Sequence, residues 1–307
     1  MRIVFMGTPD FAAIVLRGIC AAGHEVVGVI SQPDKPKNRG MQMVPTPVKE
    51  EALKRNIPVY QPETLRNQAI LPYLQEMQPD CIVVVAYGKL LPKYVLSYPS
   101  YGCINMHASL LPKYRGAAPI QWSILNGETE TGITSMHMAE GLDTGDMILR
   151  EKVAITSEDT AESLHDKLAE AAVRVAVDTL RALEDGTAPR IPQTEEASSY
   201  APMLTKELGE IHWQRTTKEI LNQIRGLNPW PGAYSYKEGQ RFKVISAKQA
   251  EGQGAPGQVI AGKHRLIVAT GDGALEIMQM QMPGKRAMEA SACMQGNHFA
   301  EGILLGE

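Results

Sequence analysis

Short apolar runs alternate with amphipathic segments through the first half of the chain. The runs have the length of buried strands, and the segments between them carry apolar residues at helical spacing. Strands are predicted at residues 2–6, 25–30, 59–60, 80–86 and 102–106, and helices at residues 9–22, 47–55 and 67–77. Thr8 and Thr46 are each followed by a proline, which predicts that they cap the first two helices. The alternation is typical of βαβ units and predicts a mostly parallel sheet.

The pattern changes towards the second half. Strands predicted at residues 132–138 and 147–155 are followed by a long amphipathic helix at residues 160–184. Prolines at positions 189, 192 and 202, among serine, threonine and glutamate residues, then indicate a linker. We predict a first domain at residues 1–188, a linker at 189–205 and a second domain at 206–307.

The second domain has the pattern of a small β-barrel. A helix at residues 217–226 precedes short apolar segments that are separated by glycines. The predicted strands are residues 232–236, 241–247, 257–261, 265–269 and 274–282. Short strands joined by glycine-rich turns favour a barrel, and this one resembles an OB fold.

Composition limits the number of domains, the class of protein and the cellular compartment. A chain of 307 residues is long enough for two domains, and its 44% hydrophobic and 21% charged residues are typical of a soluble globular protein. The net charge of −3 indicates no general affinity for nucleic acids. Four scattered cysteines fit free thiols in a reducing compartment. Because no secretory signal or membrane-spanning apolar stretch is visible, we expect a cytoplasmic protein with no membrane partner.

Two common kinds of site are disfavoured. Residues 7–11, GTPDF, follow the first strand where a dinucleotide fold places GxGxxG, but the second and third glycines are missing. The seven histidines show no HExxH or comparable spacing. We therefore expect neither a nicotinamide cofactor nor a metal ion.

Candidate chemistry is concentrated in residues 105–119, NMHASLLPKYRGAAP. Asn105 and His107 are two positions apart at the end of a predicted strand, so their side chains emerge on one face and can converge on one atom. Polar side chains at the carboxyl end of a strand are where open α/β sheets bind ligands. Taken alone, the pair favours the structural interpretation of a turn-capping asparagine and a hydrogen-bonded core histidine, because polar residues at strand ends commonly stabilise turns.

The longer string resembles the signature of the formyltransferases that use 10-formyltetrahydrofolate, in which an Asn-x-His pair precedes a Ser-Leu-Leu-Pro turn. In this family the catalytic aspartate lies in a motif that matches residues 141–147, GLDTGDM, which places it at Asp143. Asp-Thr-Gly is also an ordinary turn sequence. The resemblance implies a Rossmann-like formyltransferase domain followed by the OB-like domain, with Asn105, His107 and Asp143 as catalytic residues.

The resemblance also implies where the folate binds, as a co-substrate that brings the formyl group. Residues that match the family's folate pocket are Ser109, Leu110, Leu111, Pro112, Ala86, Tyr87, Gly88 and Leu90. For the aliphatic members of this set, packing in the core is the alternative interpretation.

A long loop at residues 32–45, QPDKPKNRGMQMVP, resembles the insertion with which family members acting on methionyl-tRNA enter the acceptor stem. The resemblance implies tRNA contacts at Lys35, Lys37, Arg39 and Met41, with Lys206, Lys243 and Lys248 as further candidates in the second domain. A solvated basic loop is the structural alternative. Lys37-Asn38 stands where the family has small residues, and Met41-Gln42 where it often has lysines, so the grip on the stem is expected to differ here.

Together these matches predict formyl transfer from 10-formyltetrahydrofolate to the amino group of initiator methionyl-tRNA by a monomeric enzyme. Two alternatives remain at this point. One is transfer to an amino sugar nucleotide, such as an aminoarabinose derivative, for which the basic loop has no evident use. The other is a folate- or RNA-binding protein without catalysis, against which the intact Asn105, His107 and Asp143 argue.

Overall fold

The computed structural model describes residues 1–37, 42–261, 264–294 and 299–306. They form two compact units. The first unit consists of Met1–Pro119, Glu130–Ala154 and His165–Ala201. The second consists of Ile120–Thr129, Ile155–Leu164 and the described part of Pro202–Glu307. The predicted linker at 189–205 is thus divided after Ala201, and the domain limits inferred from the sequence stay a prediction.

A seven-stranded sheet of order β10-β9-β7-β6-β1-β2-β5 forms the centre of the first unit. The strands up to residue 201 are β1 (Arg2–Gly7), β2 (Glu25–Ile30), β3 (Lys35–Lys37), β4 (Gln42–Val44), β5 (Val59–Tyr60), β6 (Cys81–Val85), β7 (Cys103–His107), β8 (Arg115–Gly116), β9 (Glu130–His137), β10 (Met147–Ala154) and β11 (Tyr200–Ala201). Within the large sheet only β9 runs against its neighbours. The prediction of a mostly parallel sheet is therefore confirmed.

Helices connect these strands, and their ends follow local sequence signals. They are α1 (Asp10–Ala21), α2 (Pro47–Lys54), α3 (Leu71–Met77), α4 (Lys93–Leu96), α5 (Pro119–Leu125) and α6 (Ala161–Glu184). The hydroxyl of Thr46 accepts the N–H of Lys49 and caps α2 as predicted. The cap predicted at Thr8 is wrong, because Pro9 occupies the cap position of α1 and the Thr8 hydroxyl donates instead to the carbonyl of Tyr87.

The buried strands explain why the sheet lies at the centre. All five residues of β6, which read CIVVV, are buried, and so are five of the six residues of β1. A strand that is apolar on both faces must be covered on both faces, which is the position of a central parallel strand. The predicted helix at residues 67–77 is shorter than expected, because Asn67 and Gln68 adopt positive φ angles of 54° and 57°.

Two short pairings were not foreseen. β3 and β4 form an antiparallel hairpin inside the predicted loop at residues 32–45. β8 pairs in parallel with β11, so that residues 115–116 lie beside residues 200–201 of the predicted linker. The second pairing brings the end of the linker segment to the loop that follows β7.

The second unit contains an antiparallel sheet and a capped helix. Its strands are β12 (Ala233–Lys237), β13 (Gln240–Ala250), β14 (Val259–Ala261), β15 (Leu266–Ala269), β16 (Ala274–Gln281) and β17 (Met288–Glu289), and its further helices are α7 (Thr217–Gly226) and α8 (Ala290–Met294). The order is β12-β13-β16-β15-β14, with β17 added on β16. All five predicted strands are present, and the curled antiparallel sheet is consistent with the predicted OB-like domain. No described helix is long and apolar enough to cross a membrane.

Candidate active site

Asn105 and His107 lie at the end of β7, between β6 and β9. Asn105 pairs with Val84 on one side and with Met136 on the other. Both side chains are buried, with 9% of Asn105 and 6% of His107 exposed. Because the strand is fixed by partners on both sides, the two side chains have little freedom to move apart.

The two ring nitrogens of His107 face different groups. Nε2 lies 2.8 Å from the carbonyl oxygen of Tyr114. A carbonyl oxygen can only accept, so Nε2 carries a hydrogen and donates. Nδ1 lies 3.6 Å from Oδ2 of Asp143, which is too long for a direct hydrogen bond and close enough for an ion pair when the ring is protonated. The imidazole is thus oriented with Nδ1 towards the carboxylate.

Asp143 reaches this position through a loop that folds back on the sheet. The loop between β9 and β10 starts beside Ile104, because Ile104 is the partner of His137 at the end of β9. Asp143 itself has a φ of 53°, a left-handed conformation that costs a residue with a side chain about 1–3 kcal/mol. Its Oδ2 accepts the backbone N–H of Gly116 at 2.9 Å. This bond holds the carboxylate next to His107.

Residues of the predicted linker support the Asp143 turn. The side-chain amide of Gln193 donates to the carbonyls of Asp143 and Gly145, both at 2.8 Å. Its oxygen accepts Nε–H of Arg115 at 3.0 Å. Arg115 also pairs with Glu195 at 2.8 Å, and this interaction lowers the pKa of the Glu195 carboxyl. The linker segment is therefore part of the framework around the site.

The Ser-Leu-Leu-Pro turn is held by a local hydrogen bond and by two hydrogen bonds to Thr134 of β9. The hydroxyl of Ser109 is buried and donates to the carbonyl of Lys113 at 2.6 Å. Thr134 donates to the carbonyl of Ser109 and accepts the N–H of Leu111. Ser109 and Leu111 are completely buried, whereas Leu110 and Pro112 are partly exposed. Of the four predicted folate contacts in this turn, only Leu110 and Pro112 have exposed side-chain surface.

The second predicted folate segment follows β6. Ala86 and Gly88 are exposed, with φ angles of 46° and 83°, and Leu90 is 70% exposed. Tyr87 is 2% exposed and packs in the core with Leu91, and burial raises the pKa of its hydroxyl to about 12. Its carbonyl accepts from Gln32 at 3.0 Å. The buried side chain of Tyr87 thus anchors the segment to the core.

Polar side chains hold the start of the basic loop at residues 32–45. Lys49 contacts Asp34 at 2.6 Å and Gln61 at 2.7 Å, and Gln61 in turn donates to Asp34. The bond from Lys49 lowers the pKa of the Asp34 carboxyl. Lys35 is exposed at the start of β3. Arg39 and Met41 lie outside the described residues, as does the side chain of Lys37.

The three lysines predicted in the second unit are all exposed. Lys243 and Lys248 both lie on β13. Lys248 is 3.3 Å from Glu276, which also accepts two bonds from Arg265. The charge of Lys248 is therefore partly compensated, while Lys243 and Lys206 have no recorded ion pair within the residues described.

Sequence reasoning missed three groups that shape the site. They are the N–H of Gly116, the carbonyl of Tyr114 and the side chain of Gln193. The first two belong to the quoted motif but act through the backbone, which has no side-chain signature. Gln193 lies in a stretch without periodicity, where no pattern distinguishes a contact residue from a linker residue.

Comparison with known proteins gives matches over both parts of the chain. Residues 1–180 match a family model described as formyl transferase, and residues 203–298 match the formyl transferase C-terminal domain. The chain is 51% identical to the methionyl-tRNA formyltransferase of Pelotomaculum thermopropionicum, over 100% of this chain and 99% of that one. It is 49% identical to the methionyl-tRNA formyltransferase of Alkaliphilus oremlandii, over the full length of both.

Solved structures share the fold at lower identity. An N-formyltransferase from Helicobacter canadensis, in complex with folinic acid and dTDP-3-aminofucose, has a TM-score of 0.69 at 21% identity, covering 91% of this chain and 98% of that one. HypX from Aquifex aeolicus in complex with tetrahydrofolic acid has a TM-score of 0.64 at 21% identity, covering 96% of this chain and 47% of that one. At this identity the likeness bears on the fold alone.

Proposed function

The chain belongs to the formyl transferase family, and we propose that it transfers the formyl group of 10-formyltetrahydrofolate to the amino group of methionyl-initiator tRNA. The product is the N-formylmethionyl-tRNA that starts translation. The main support for this acceptor is the 51% identity to a methionyl-tRNA formyltransferase. The identity extends over the whole chain, including the second unit. The close approach of His107 and Asp143 supports catalysis over simple binding.

The reaction forms a bond between the formyl carbon and the amine, and breaks the bond between that carbon and N10 of the folate. As the amine attacks, the carbonyl electron pair moves to the formyl oxygen. The amide of Asn105 is suited to donate to this oxyanion, a type of contact whose loss costs on the order of 3 kcal/mol in comparable sites. The electron pair then returns and expels N10.

The proton that moves from the amine to N10 gives His107 and Asp143 their proposed role. The amine loses one proton and N10 gains one, so a group in the site has to carry it between them. Nε2 of His107 is held by the carbonyl of Tyr114, which leaves Nδ1 and the carboxylate of Asp143 for this task. Either group can accept the amine's proton and pass it to N10. If Nδ1 of His107 accepts it, the carboxylate of Asp143 stabilises the imidazolium that results.

The folate is proposed to lie against the surface formed by residues 86–90 and 109–112. Leu90, Leu110 and Pro112 supply apolar side chains, and the exposed Ala86 and Gly88 leave the backbone accessible to a flat ring. Ser109, Leu111 and Tyr87 hold the backbone of these segments in shape. This division of roles distinguishes contact residues from supporting residues in the predicted set.

The tRNA is proposed to contact the hairpin of β3 and β4 and its connecting residues. Exposed Lys35 and the arginine at position 39 carry the charge that phosphate groups attract. The pairing of Lys35 with Val44 and the bonds around Asp34 fix the base of the hairpin. Lys206 and Lys243 are further candidates in the second unit.

An acceptor assay tests the proposal. Purified protein is incubated with 10-formyltetrahydrofolate, labelled in the formyl group, and with methionyl-initiator tRNA, uncharged initiator tRNA or an aminoarabinose nucleotide. Label is expected on the charged tRNA alone, because the uncharged tRNA lacks the amine. Label on the sugar nucleotide instead would replace the acceptor, and label on neither would leave a binding protein as the better description.

A further inference from the structure

Gln193 has every polar atom of its side chain engaged at the Asp143 turn. Its Nε2 donates to the carbonyls of Asp143 and Gly145, and its Oε1 accepts from Arg115. Carbonyls can only accept and a guanidinium can only donate, so the amide nitrogen has to face the two carbonyls and the amide oxygen has to face Arg115. The amide therefore has one satisfactory orientation, and in this orientation it holds two carbonyls of one turn together.

Backbone pairing places Gln193 at this point. Met147 and Ile191 exchange both backbone hydrogen bonds, each at 2.9 Å, as an antiparallel pair. In an antiparallel pair, a step of two residues along one chain leads to the residue two positions back on the other. Gln193 lies two residues beyond this bridge and Gly145 two residues before it, and the side-chain amide of Gln193 reaches the carbonyls of Gly145 and Asp143. The bridge thus brings the two segments together next to the contact.

The turn held in this way carries the carboxylate of the site. Asp143 has positive φ, and its Oδ2 is 3.6 Å from Nδ1 of His107. A carboxylate on an unsupported left-handed turn can swing away when the turn relaxes. Gln193 restrains the backbone of Asp143, while the N–H of Gly116 restrains its carboxylate.

We propose that Gln193 is a positioning residue for formyl transfer, which acts by fixing the Asp143 turn relative to His107. The inference rests on the proposed function. Gln193 has no contact with the reacting atoms, so its loss is expected to slow the chemical step and to leave substrate binding nearly unchanged. A displacement of the carboxylate on the scale of 1 Å is enough to lower a rate on the order of 100-fold.

The second unit offers a matched control. The amide of Gln223 donates to the carbonyls of Leu208 and Glu210, at 2.7 and 2.8 Å. This is the same arrangement, one amide on two carbonyls that are two residues apart, at a place without catalytic groups. Gln223→Met removes the same two donated bonds as Gln193→Met, so it measures what the loss of both donors does to the fold alone. Gln193→Met also removes the acceptor for Arg115, which has no counterpart at Gln223.

The experiment compares both variants with the wild type by thermal unfolding and by steady-state kinetics with each substrate varied. Gln193→Met is expected to lower kcat by on the order of 10- to 100-fold with nearly unchanged KM values, whereas Gln223→Met lowers the melting temperature and leaves kcat nearly unchanged. Gln193→Glu keeps the size of the side chain and the acceptor for Arg115 but removes both donors, and it should reproduce the loss of kcat.

Three results would overturn the inference. The first is a kcat of Gln193→Met and Gln193→Glu equal to that of the wild type. The second is a lower kcat/KM that comes from raised KM values and not from kcat. The third is a loss of kcat in Gln193→Met no larger than that in Gln223→Met. The wild-type reaction separates this inference from the proposed function. If wild-type protein formylates no amine, the proposed function fails and the inference with it, but an active wild type with an equally active Gln193→Met overturns the inference alone.

Discussion

Oδ2 of Asp143 lies 3.6 Å from Nδ1 of His107 and accepts the backbone N–H of Gly116 at 2.9 Å. The N–H holds the oxygen in place, so the carboxylate stays directed at the imidazole. At 3.6 Å the two groups form an ion pair when the imidazole is protonated. The first prediction concerns the charge at this point.

Asp143→Asn removes the negative charge with little change in size. The amide oxygen can still accept the N–H of Gly116, so the turn is expected to keep its shape. Formylation should fall by on the order of 10²- to 10⁴-fold, because the site loses a carboxylate that accepts the proton itself or stabilises the protonated His107. The affinity for charged tRNA, measured by filter binding, should be nearly unchanged.

Asp146→Asn serves as the control for Asp143→Asn. Asp146 lies in the same loop and pairs with Arg190 at 3.5 Å. This variant should retain near wild-type turnover. Wild-type turnover in Asp143→Asn would remove Asp143 from the mechanism.

Arg39→Ala addresses the basic loop. Loss of one phosphate contact is expected to raise the KM for tRNA and to reduce the slope of log affinity against log salt by about one. The KM for the folate should not change. Arg66→Ala, at an exposed arginine elsewhere in the first unit, is the matched control. Equal tRNA kinetics in both variants across a salt series would contradict the role assigned to the loop.

Gly116→Ala tests the close approach of the loop to residues 200–201. Gly116 has a φ of 116°, and an added Cβ would lie 2.6 Å from Cε2 of Tyr200 and 2.7 Å from the carbonyl oxygen of Ala201. Strain and overlap together should cost about 2–4 kcal/mol of unfolding free energy. Turnover should fall as well, because the N–H that holds Asp143 shifts.

The control for this variant is Gly186→Ala. Gly186 has a φ of 66°, but no atom lies within 4 Å of the added Cβ. Only the conformational strain remains there, so the loss in chemical denaturation should be the smaller of the two. Equal losses would mean that the overlap at Gly116 relaxes without cost.

Glu51 makes stability depend on pH. Its side chain is 7% exposed and bonds to Arg17 and Arg55, and the bond from Arg17 is the main reason why the pKa of Glu51 is lowered. A carboxyl with a lower pKa in the folded state stabilises the fold above its unfolded value of 4.5. This contribution disappears as the pH falls through the folded value.

Glu51→Gln is therefore expected to lower the unfolding free energy by about 1–3 kcal/mol at pH 7. The difference from wild type should shrink as the pH falls below the unfolded value. Urea unfolding over this pH range measures it, with Glu63→Gln, at an exposed glutamate, as the control. A difference that stays constant with pH would show that the charge of Glu51 is not what stabilises the fold.

Local sequence patterns predicted most of the secondary structure, for identifiable reasons. The uninterrupted apolar run of β6 is compatible only with a strand that is covered on both faces. The hydroxyl of Thr216 caps α7 by accepting the N–H of Glu219, and the N–H of Thr216 donates in return to the Glu219 carboxylate, so that helix has the bounds predicted from the sequence. Thr8 does not cap α1, because its hydroxyl donates to the carbonyl of Tyr87 instead. Tyr87 is distant in sequence, so no local pattern predicts this bond.

The sequence by itself determined the order of the long strands and helices, the Asn105-His107 pair on one face of a strand, and the family to which the chain belongs. These properties depend on side-chain spacing and on the residue types of a motif. Only the tertiary structure decided that the loop after β9 folds back to bring Asp143 to His107, and that Gln193 and Gly116 hold it there. These contacts join segments that are distant in sequence, and two of them use a backbone group, the N–H of Gly116 and the carbonyl of Asp143. Since every residue carries the same backbone groups, their partners depend on how the chain folds.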